Sequence, residues 1–400
     1  MKEKGFLQVI VYKNNESDPL SNVSIEVKEK VSGNTINTLI TNEIGKTEKI
    51  SLDSPPILYT MESTNNKPFS SYDIVITAQD KKIFVENIQI FPSVTALQKV
   101  YINEMKYLSI KDPILWGNFP LKDFESPIKL LTNFYNWVIL PEVVIPEYII
   151  VHADEKDKTA QNHQVKFIDY IKNVACCEIY PTWPKETIKA NVIAIVSYIL
   201  NRVYTEWYRS NGYDFTITGS TKNDQAFDYE RNIYLEISEI VDEVFTTYVT
   251  KPDIKQPLLA QYCDGKKKTC PGFMSQWGTK EMGDQGKSAL QILKKYYGQE
   301  IILKKAKKIE GIPESYPGSI LTIGTENHHV KTIQEQLNAI SNNYPLLPKI
   351  KVDGVYGDLT EKNVQLFQEI FNLKKTGIVD EATWYKISQI YATITKMMSI

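Results

Sequence analysis

The stretch Val174-Ala-Cys-Cys-Glu-Ile-Tyr-Pro-Thr-Trp-Pro-Lys-Glu-Thr-Ile-Lys-Ala-Asn191 decides how the middle of this 400-residue chain folds. Pro181 and Pro184 punctuate it, and each proline fixes φ and removes an amide donor, so the chain turns here. Pro184 suits the first turn of a helix, where a missing N–H costs nothing. A helix is predicted from there through Ile188-Lys-Ala-Asn-Val-Ile-Ala-Ile-Val-Ser-Tyr-Ile-Leu-Asn-Arg202 to about Trp207. It is apolar on most sides and is therefore expected to be buried. Glu186 falls in its first turn, where an anion complements the helix dipole. Glu178 stands just ahead of the turn in apolar company, a setting that partly desolvates a carboxyl group.

Downstream, Ile233, Ile237, Ile240, Val241 and Val244 form a helical stripe, predicting a helix from Asn232 to about Tyr248. Another is predicted over Gln285–Tyr297, ahead of Gly298. The run Lys304-Lys-Ala-Lys-Lys308, followed by Gly311-Ile-Pro-Glu-Ser-Tyr-Pro-Gly318, reads as a solvated linker over 304–319, and 320–400 as a compact helical module. Upstream, Leu7–Tyr12, Val23–Val27, Asp73–Thr77 and Ile83–Val85 carry β-branched residues between turn clusters. Residues 1–104 are therefore expected to form a small antiparallel sandwich. Residues 105–150 hold Pro113, Pro120, Pro127, Pro141 and Pro146 in an apolar, aromatic connecting segment, leaving 151–303 as the middle domain.

Hydrophobic content of 42% and charged content of 24% are ordinary for a globular protein, and a formal charge of −2 supplies no basic field for nucleic acid or an anionic membrane. The 24 Tyr, 14 Phe and 6 Trp offer ring faces suited to sugars, although most aromatic residues serve the core. Met1–Asn14 lacks the h-region and cleavage site of a secretory signal, and no stretch approaches a membrane span. The expectation is synthesis as a soluble cytosolic product. Cys176-Cys177 and Cys263…Cys270 are too few for a disulfide scaffold, and His152, His163, His328 and His329 lie far from them in sequence. No metal or other cofactor is expected. A Cys263–Cys270 disulfide and unpaired buried thiols both remain open.

Three blocks carry resemblances. Val330-Lys-Thr-Ile-Gln-Glu-Gln-Leu337, Val352-Asp-Gly-Val-Tyr-Gly-Asp-Leu-Thr360, Val364-Gln-Leu-Phe-Gln368, Thr376-Gly-Ile-Val-Asp380 and Thr383-Trp384 resemble the three-helix peptidoglycan-binding domains of bacterial wall hydrolases. In that module Asp353-Gly354 and Gly357 are expected to make a tight positive-φ turn, Thr360 to begin a helix, and Gly377 to turn the chain into the last helix. Val364, Phe367, Phe371 and Leu373 are expected to face its core. The stretch Val174–Asn191, with Gly272-Phe-Met-Ser-Gln-Trp-Gly-Thr-Lys-Glu-Met-Gly-Asp-Gln-Gly-Lys-Ser288 and Ile292-Leu-Lys-Lys-Tyr-Tyr297, resembles the SpoIID family of lytic transglycosylases. Pro19–Val27 with Thr41–Thr47 resembles transthyretin-like accessory modules.

The implied fold is multidomain α+β: an N-terminal β-sandwich-like region, an α+β SpoIID-like catalytic domain and a C-terminal three-helix peptidoglycan-binding domain. The order of parts, with Leu140–Ile149 and Leu200–Arg209, is similar to the spore cortex-lytic enzymes of clostridia. Two departures matter. The family's His ahead of the Gly-Met-Ser-Gln block is absent, with Cys270-Pro271 in that neighbourhood. The loop Thr216–Gln225 also lacks the Cys and His with which some relatives bind zinc.

Glu178 aligns with the family's catalytic acid. A lytic transglycosylase needs one carboxyl group, because its nucleophile is tethered to the substrate and effective molarities of roughly 10⁵–10⁸ M replace a held water. Ser275, Gln276 and Trp277 are candidates to line the glycan groove, with Gln225 and Tyr262 beside them. A water-using glycoside hydrolase would need a second carboxylate, for which Asp214, Asp224 and Glu206 are the candidates. A non-catalytic wall-binding protein is the third reading. The resemblance further implies glycan strands of spore cortex as partner, storage in the spore as a zymogen, and an activating germination protease cutting between about Glu147 and Asp154.

Overall fold

The computed structural model describes the chain apart from residues 1, 15, 63–65, 79–80, 103–142, 147, 154–161, 206, 212, 214, 230, 267–268, 309–315, 318 and 398–400. Most of the proline-rich connecting segment, and both Glu206 and Asp214, thus lie outside the described residues.

The N-terminal region comprises strands β1 Glu3–Tyr12, β2 Ser24–Glu29, β3 Thr35–Ile40, β4 Ile50–Ser54, β5 Ser70–Ala78, β6 Lys81–Ile90 and β7 Thr95–Tyr101, with the single-turn helix α1 Leu58–Met61. Period-2 alternation buries Leu7, Val9 and Val11 of one sheet and Ile25, Val27, Ile74 and Ile76 of the other. The sheet β3-β2-β5-β6 is antiparallel throughout. The other differs from the expected antiparallel arrangement. β1 pairs antiparallel with β4 but parallel with β7, setting Leu7 opposite Ala96, because the chain crosses between sheets before β7 and returns in the direction of β1. Its outer strand comes from far along the sequence: β12 Ile233–Tyr234 pairs with β7, Ile233 opposite Leu97. One apolar cluster consequently runs without a break from Leu7 to Ala306.

Between sandwich and site lie β8 Val144–Ile145, β9 Tyr148–His152, β10 Asn162–Lys166 and β11 Ile217–Thr218. The helices are α2 Phe167–Glu178, α3 Lys185–Tyr204, α4 Trp207–Ser210 and α5 Leu235–Val244. The rest of the domain is β13 Thr247–Thr250, β14 Tyr262–Cys263, β15 Met274–Ser275, α6 Gln276–Asp284, α7 Ala289–Tyr297, β16 Ile302–Lys305 and β17 Lys307–Lys308. Helix α3 is the axis, with α2, α5, α6 and α7 packed round it. It begins beside Pro184 as expected and is buried along most of its length. Glu186 in its first turn also accepts the Ala289 amide at 2.7 Å, tying α3 to the start of α7.

Three expectations change. The second predicted helix starts at Leu235, because Ile233 and Tyr234 are drawn into the sandwich sheet. The third starts four residues later than predicted: the chain turns at Gly286 (φ +75°), and a Ser288–Gln291 capping box opens the helix as α7. Part of the expected lysine linker is strand: β16 pairs with β13, Leu303 opposite Val249, and β17 pairs with β8. Cross-strand pairing satisfies the backbone there while the side chains of Lys304 and Lys305 stay exposed. The expected processing segment contains β9, the central strand of β10-β9-β11, with Ile149 and Val151 buried.

The C-terminal module has its own core, including Leu321, Val330, Leu337, Phe367 and Trp384, between α8 His328–Ile340, α9 Asp358–Ile370 and α10 Glu381–Met397. Two buried glutamines repeat one device. Gln334 Oε1 accepts from the amides of Asp353 and Gly354 at 3.0 and 2.9 Å, and Gln368 Oε1 from those of Thr376 and Gly377 at 2.9 Å each. Gly354 and Gly377 have φ of +78° and +72°, as such turns require. Gly357 does not share that role: it caps α9 at φ −101°. Val364 is buried with Phe367, and Phe371 and Leu373 pack partly buried against this core.

Candidate active site

Helix α2 delivers Glu178 as its last residue, 5% exposed. Its Oε1 accepts the Ala226 amide at 2.7 Å and its Oε2 the Gln276 side-chain amide at 3.3 Å. The Tyr262 hydroxyl hydrogen-bonds to the same carboxylate; burial and then that carboxylate push its pKa well above the ordinary tyrosine value. Gln225 stands behind: its Nε2 donates to Tyr262 Oη at 3.1 Å, and its Oε1 accepts from Tyr170 Oη at 3.0 Å. Three chain segments thus meet at one carboxylate, α2, the 225–226 loop and the β14/β15–α6 corner.

The corner is built for the purpose. Ser275 caps α6, its Oγ accepting the Gly278 amide at 2.9 Å, which sets Gln276 in the first turn facing Glu178. Gly265 packs against Ser275 so closely that a Cβ would fall 1.8 Å from its Oγ, at φ +80°. Only glycine fits there. Cys263 and Cys270 form a disulfide closing the loop that follows β14, so neither offers a thiolate to a metal. Cys176 and Cys177 are free and buried, and burial raises their pKa values to about 11 and about 12, making them inert packing thiols.

Beyond the carboxylate lies an aromatic cluster. Trp183 and Trp277 meet edge to face at 5.1 Å, with Tyr180 at 5.2 and 5.8 Å from them. The sandwich docks on this turn: Trp183 Nε1 donates to the Thr60 carbonyl at 2.9 Å, Thr182 Oγ1 to Thr60 Oγ1 at 2.7 Å, and Phe91 lies 6.0 Å from Tyr180.

Of the residues expected round the site, Glu178, Gln225, Tyr262, Ser275 and Gln276 converge and Trp277 flanks them. Glu178, Gln225, Tyr262, Gln276 and Trp277 are all buried in this conformation, and Ser275 is partly exposed. Gln225 has no exposed surface and Tyr262 only 6%, so in this conformation they brace the carboxylate and present no face to a sugar. Tyr170, at the far end of the chain of hydrogen bonds, gave no sequence signal, because a tyrosine in an apolar helix reads as core. Asp224, one candidate for a second carboxylate, is wholly buried. It accepts from Arg202 Nε at 3.1 Å, Tyr198 Oη at 3.0 Å and the Thr218 amide and hydroxyl at 3.0 and 2.8 Å. Burial pushes its pKa up, but Arg202 and these donors outweigh it and hold the value below the ordinary carboxylate range. It is a structural strut with no free lone pair for a water.

Residues 155–250 match the Stage II sporulation protein family, SpoIID. The match takes in Glu178, all of α3 and the Asp224–Ala226 loop; the Gly272–Ser288 block lies beyond it. Residues 327–387 match the putative peptidoglycan binding domain. No curated protein matches the chain. Together the two matches support a peptidoglycan-related role in sporulation, and the SpoIID family is linked to peptidoglycan degradation. Among the described residues no helix is long and apolar enough to cross a membrane.

Proposed function

We propose that the chain is a lytic transglycosylase of spore cortex, resembling the cortex-lytic enzyme SleC, with Glu178 as its acid and base. One observation carries the reading: a buried carboxylate braced from three chain segments, whose nearby candidate partner Asp224 is spent on Arg202. Such a site suits a reaction in which one carboxyl group acts twice. Protonated Glu178 gives its proton to the oxygen linking MurNAc C1 to GlcNAc, and that C1–O bond breaks. The carboxylate then takes the proton of the MurNAc C6 hydroxyl as O6 attacks C1. The products are a 1,6-anhydro-MurNAc end and a GlcNAc hydroxyl, with Glu178 protonated again. Ser275 borders the glycan path, and Gln276 and Trp277, 4% and 7% exposed, join it as the site opens on activation.

The chain is stored as a zymogen in this reading. The sandwich grips Thr182 and Trp183, immediately after Glu178, through Thr60, and this supports an inactive stored form. A protease cutting within residues 148–152 would have to extract a central strand, so we place the activating cut in the connecting segment before it. Cortex glycan is the substrate, and the spore is where the chain acts.

The test is mass spectrometry of muropeptides released from cortex by the proteolytically activated chain and by its Glu178→Gln variant. Anhydro-muropeptides from the first and none from the second are expected. Reducing-end products would replace this reading with a water-using hydrolase, and no product from either would leave a wall-binding protein.

A further inference from the structure

The sandwich has two seams, built from different materials. Against the middle domain it shares a sheet and a core: β12 completes its sheet, and Phe91 packs edge-on against Tyr234 at 5.2 Å inside that core. Against the C-terminal module it is held by polar groups focused on the first turns of α10. Tyr12 Oη donates to Glu381 Oε1 at 2.9 Å, Lys46 pairs with Glu381 Oε2 at 3.2 Å, and Glu43 pairs with Lys374. Lys99 of the sandwich and Lys166 of the middle domain lie over the Tyr385 ring at 5.3 and 5.5 Å, and Lys166 also ties the middle domain to the sandwich by pairing with Glu16 at 3.1 Å. A cavity of about 520 Å³ remains where sandwich, middle domain and module meet, lined from the C-terminal side by Tyr316, His328, His329, Glu381 and Tyr385.

A permanent interface closes to the density of a protein interior, whereas an unfilled cavity forfeits those contacts. Pairs such as Glu43–Lys374, with both side chains about two-thirds exposed, contribute little. A seam of this kind opens at less cost than the shared core on the other side. The face it covers carries tyrosine rings, imidazoles and a carboxylate, groups that are apolar on one side and hydrogen-bonding on the other, which suits a glycopeptide polymer. The module's core is complete without the sandwich.

We infer that this face, centred on Glu381 and Tyr385, is the surface with which the C-terminal module grips peptidoglycan, and that the sandwich occupies it in the intact chain. The inference rests on the module's wall-binding role and not on the catalytic reading. A module available only when the seam opens binds with an affinity reduced by the open fraction, so weakening the seam tightens wall binding without any new contact.

The experiment is sedimentation of the full chain with purified peptidoglycan sacculi. Glu43→Lys together with Lys46→Glu reverses two sandwich charges and leaves the module's sequence intact. Binding roughly fivefold tighter than wild type is expected. Pairing Glu43→Lys with Lys374→Glu restores attraction and returns binding toward wild type. Adding Tyr385→Ala to the charge-reversed chain lowers binding again, because it removes the contact face itself. The inference fails if the charge-reversed chain, with a native melting transition, binds no better than wild type. It fails equally if Tyr385→Ala leaves the tightened binding intact. Glycan cleavage is scored separately, on cortex peptidoglycan and with the proteolytically activated chain, so a chain that binds tightly and after activation cuts nothing would sink the catalytic reading alone.

Discussion

Glu178 and Asp224 are both buried carboxylates beside α3, and their surroundings assign them opposite tasks. Asp224 faces a buried guanidinium, two tyrosine hydroxyls and a threonine, and is locked in its ionised form as part of the scaffold. Glu178 ends a helix and is met by a backbone amide, a side-chain amide and a phenol. Burial alone identifies neither role; the partners do. The comparison predicts its own largest break. Glu178→Gln should lower turnover by about 10²–10⁴-fold, the range of a lost general acid–base, while the melting transition stays within a few degrees of wild type.

Asp224→Asn should do the reverse. Leaving Arg202 buried without its carboxylate costs about 3–5 kcal/mol of stability, measurable as a shift in denaturant midpoint. The pH dependence follows from the depressed native pKa. Such a group contributes stability that is present above its unfolded value, near 3.9, and is lost as pH falls through the native value. Wild type should therefore lose stability more steeply than Asp224→Asn below about pH 4 in an acid titration followed by circular dichroism.

How much of this was legible in the sequence depended on whether the signal was local. The long helix after Pro184 and the glycine turns at Gly354 and Gly377 announce themselves within a few residues, and the structure has them, whereas Gln334 and Gln368, which hold those turns, gave no local signal. The glycine argument failed only at Gly357, where an extended cap replaces the expected left-handed turn. Helix α2, which carries Glu178, did not stand out in the sequence: Asp169, Lys172 and Asn173 interrupt its apolar run, and the burial of Lys172 depends on a distant partner, Asp242 at 2.8 Å. Ile233–Tyr234 reads as helix by periodicity and becomes a strand through pairing with Leu97 and Ala96, some 140 residues away, which no local pattern encodes. The site residues were named by motif, but their division of labour was not. Whether Gln225 touches a sugar or a tyrosine depends on burial, and only the fold decides that.

The disulfide tests how far the corner of the site depends on its loop. Cys263 sits on β14 directly after Tyr262, and the bond to Cys270 closes a loop of a few residues. Cys270→Ser should cost about 2–3 kcal/mol by the chain-entropy account. Reducing agent should lower the melting temperature of wild type to that of the variant and leave the variant's own unchanged.

The smallest expected effect is the sharpest test of the division between bracing and contact. Tyr262→Phe removes one hydroxyl that bridges Glu178 and Gln225 and keeps the ring in place. If Tyr262 only orients the carboxylate, turnover should fall about five- to tenfold, the value of one hydrogen bond of about 1 kcal/mol, with KM unchanged. Gln225→Glu, which keeps an acceptor toward Tyr170 and removes the donor toward Tyr262, should then add little to Tyr262→Phe, because both variants break the same strut. A rise in KM with turnover preserved would instead put Tyr262 against the glycan, and the buried tyrosine would have to be exposed by movement of the corner on substrate binding. Either result fixes which groups round Glu178 belong to the scaffold and which to the groove.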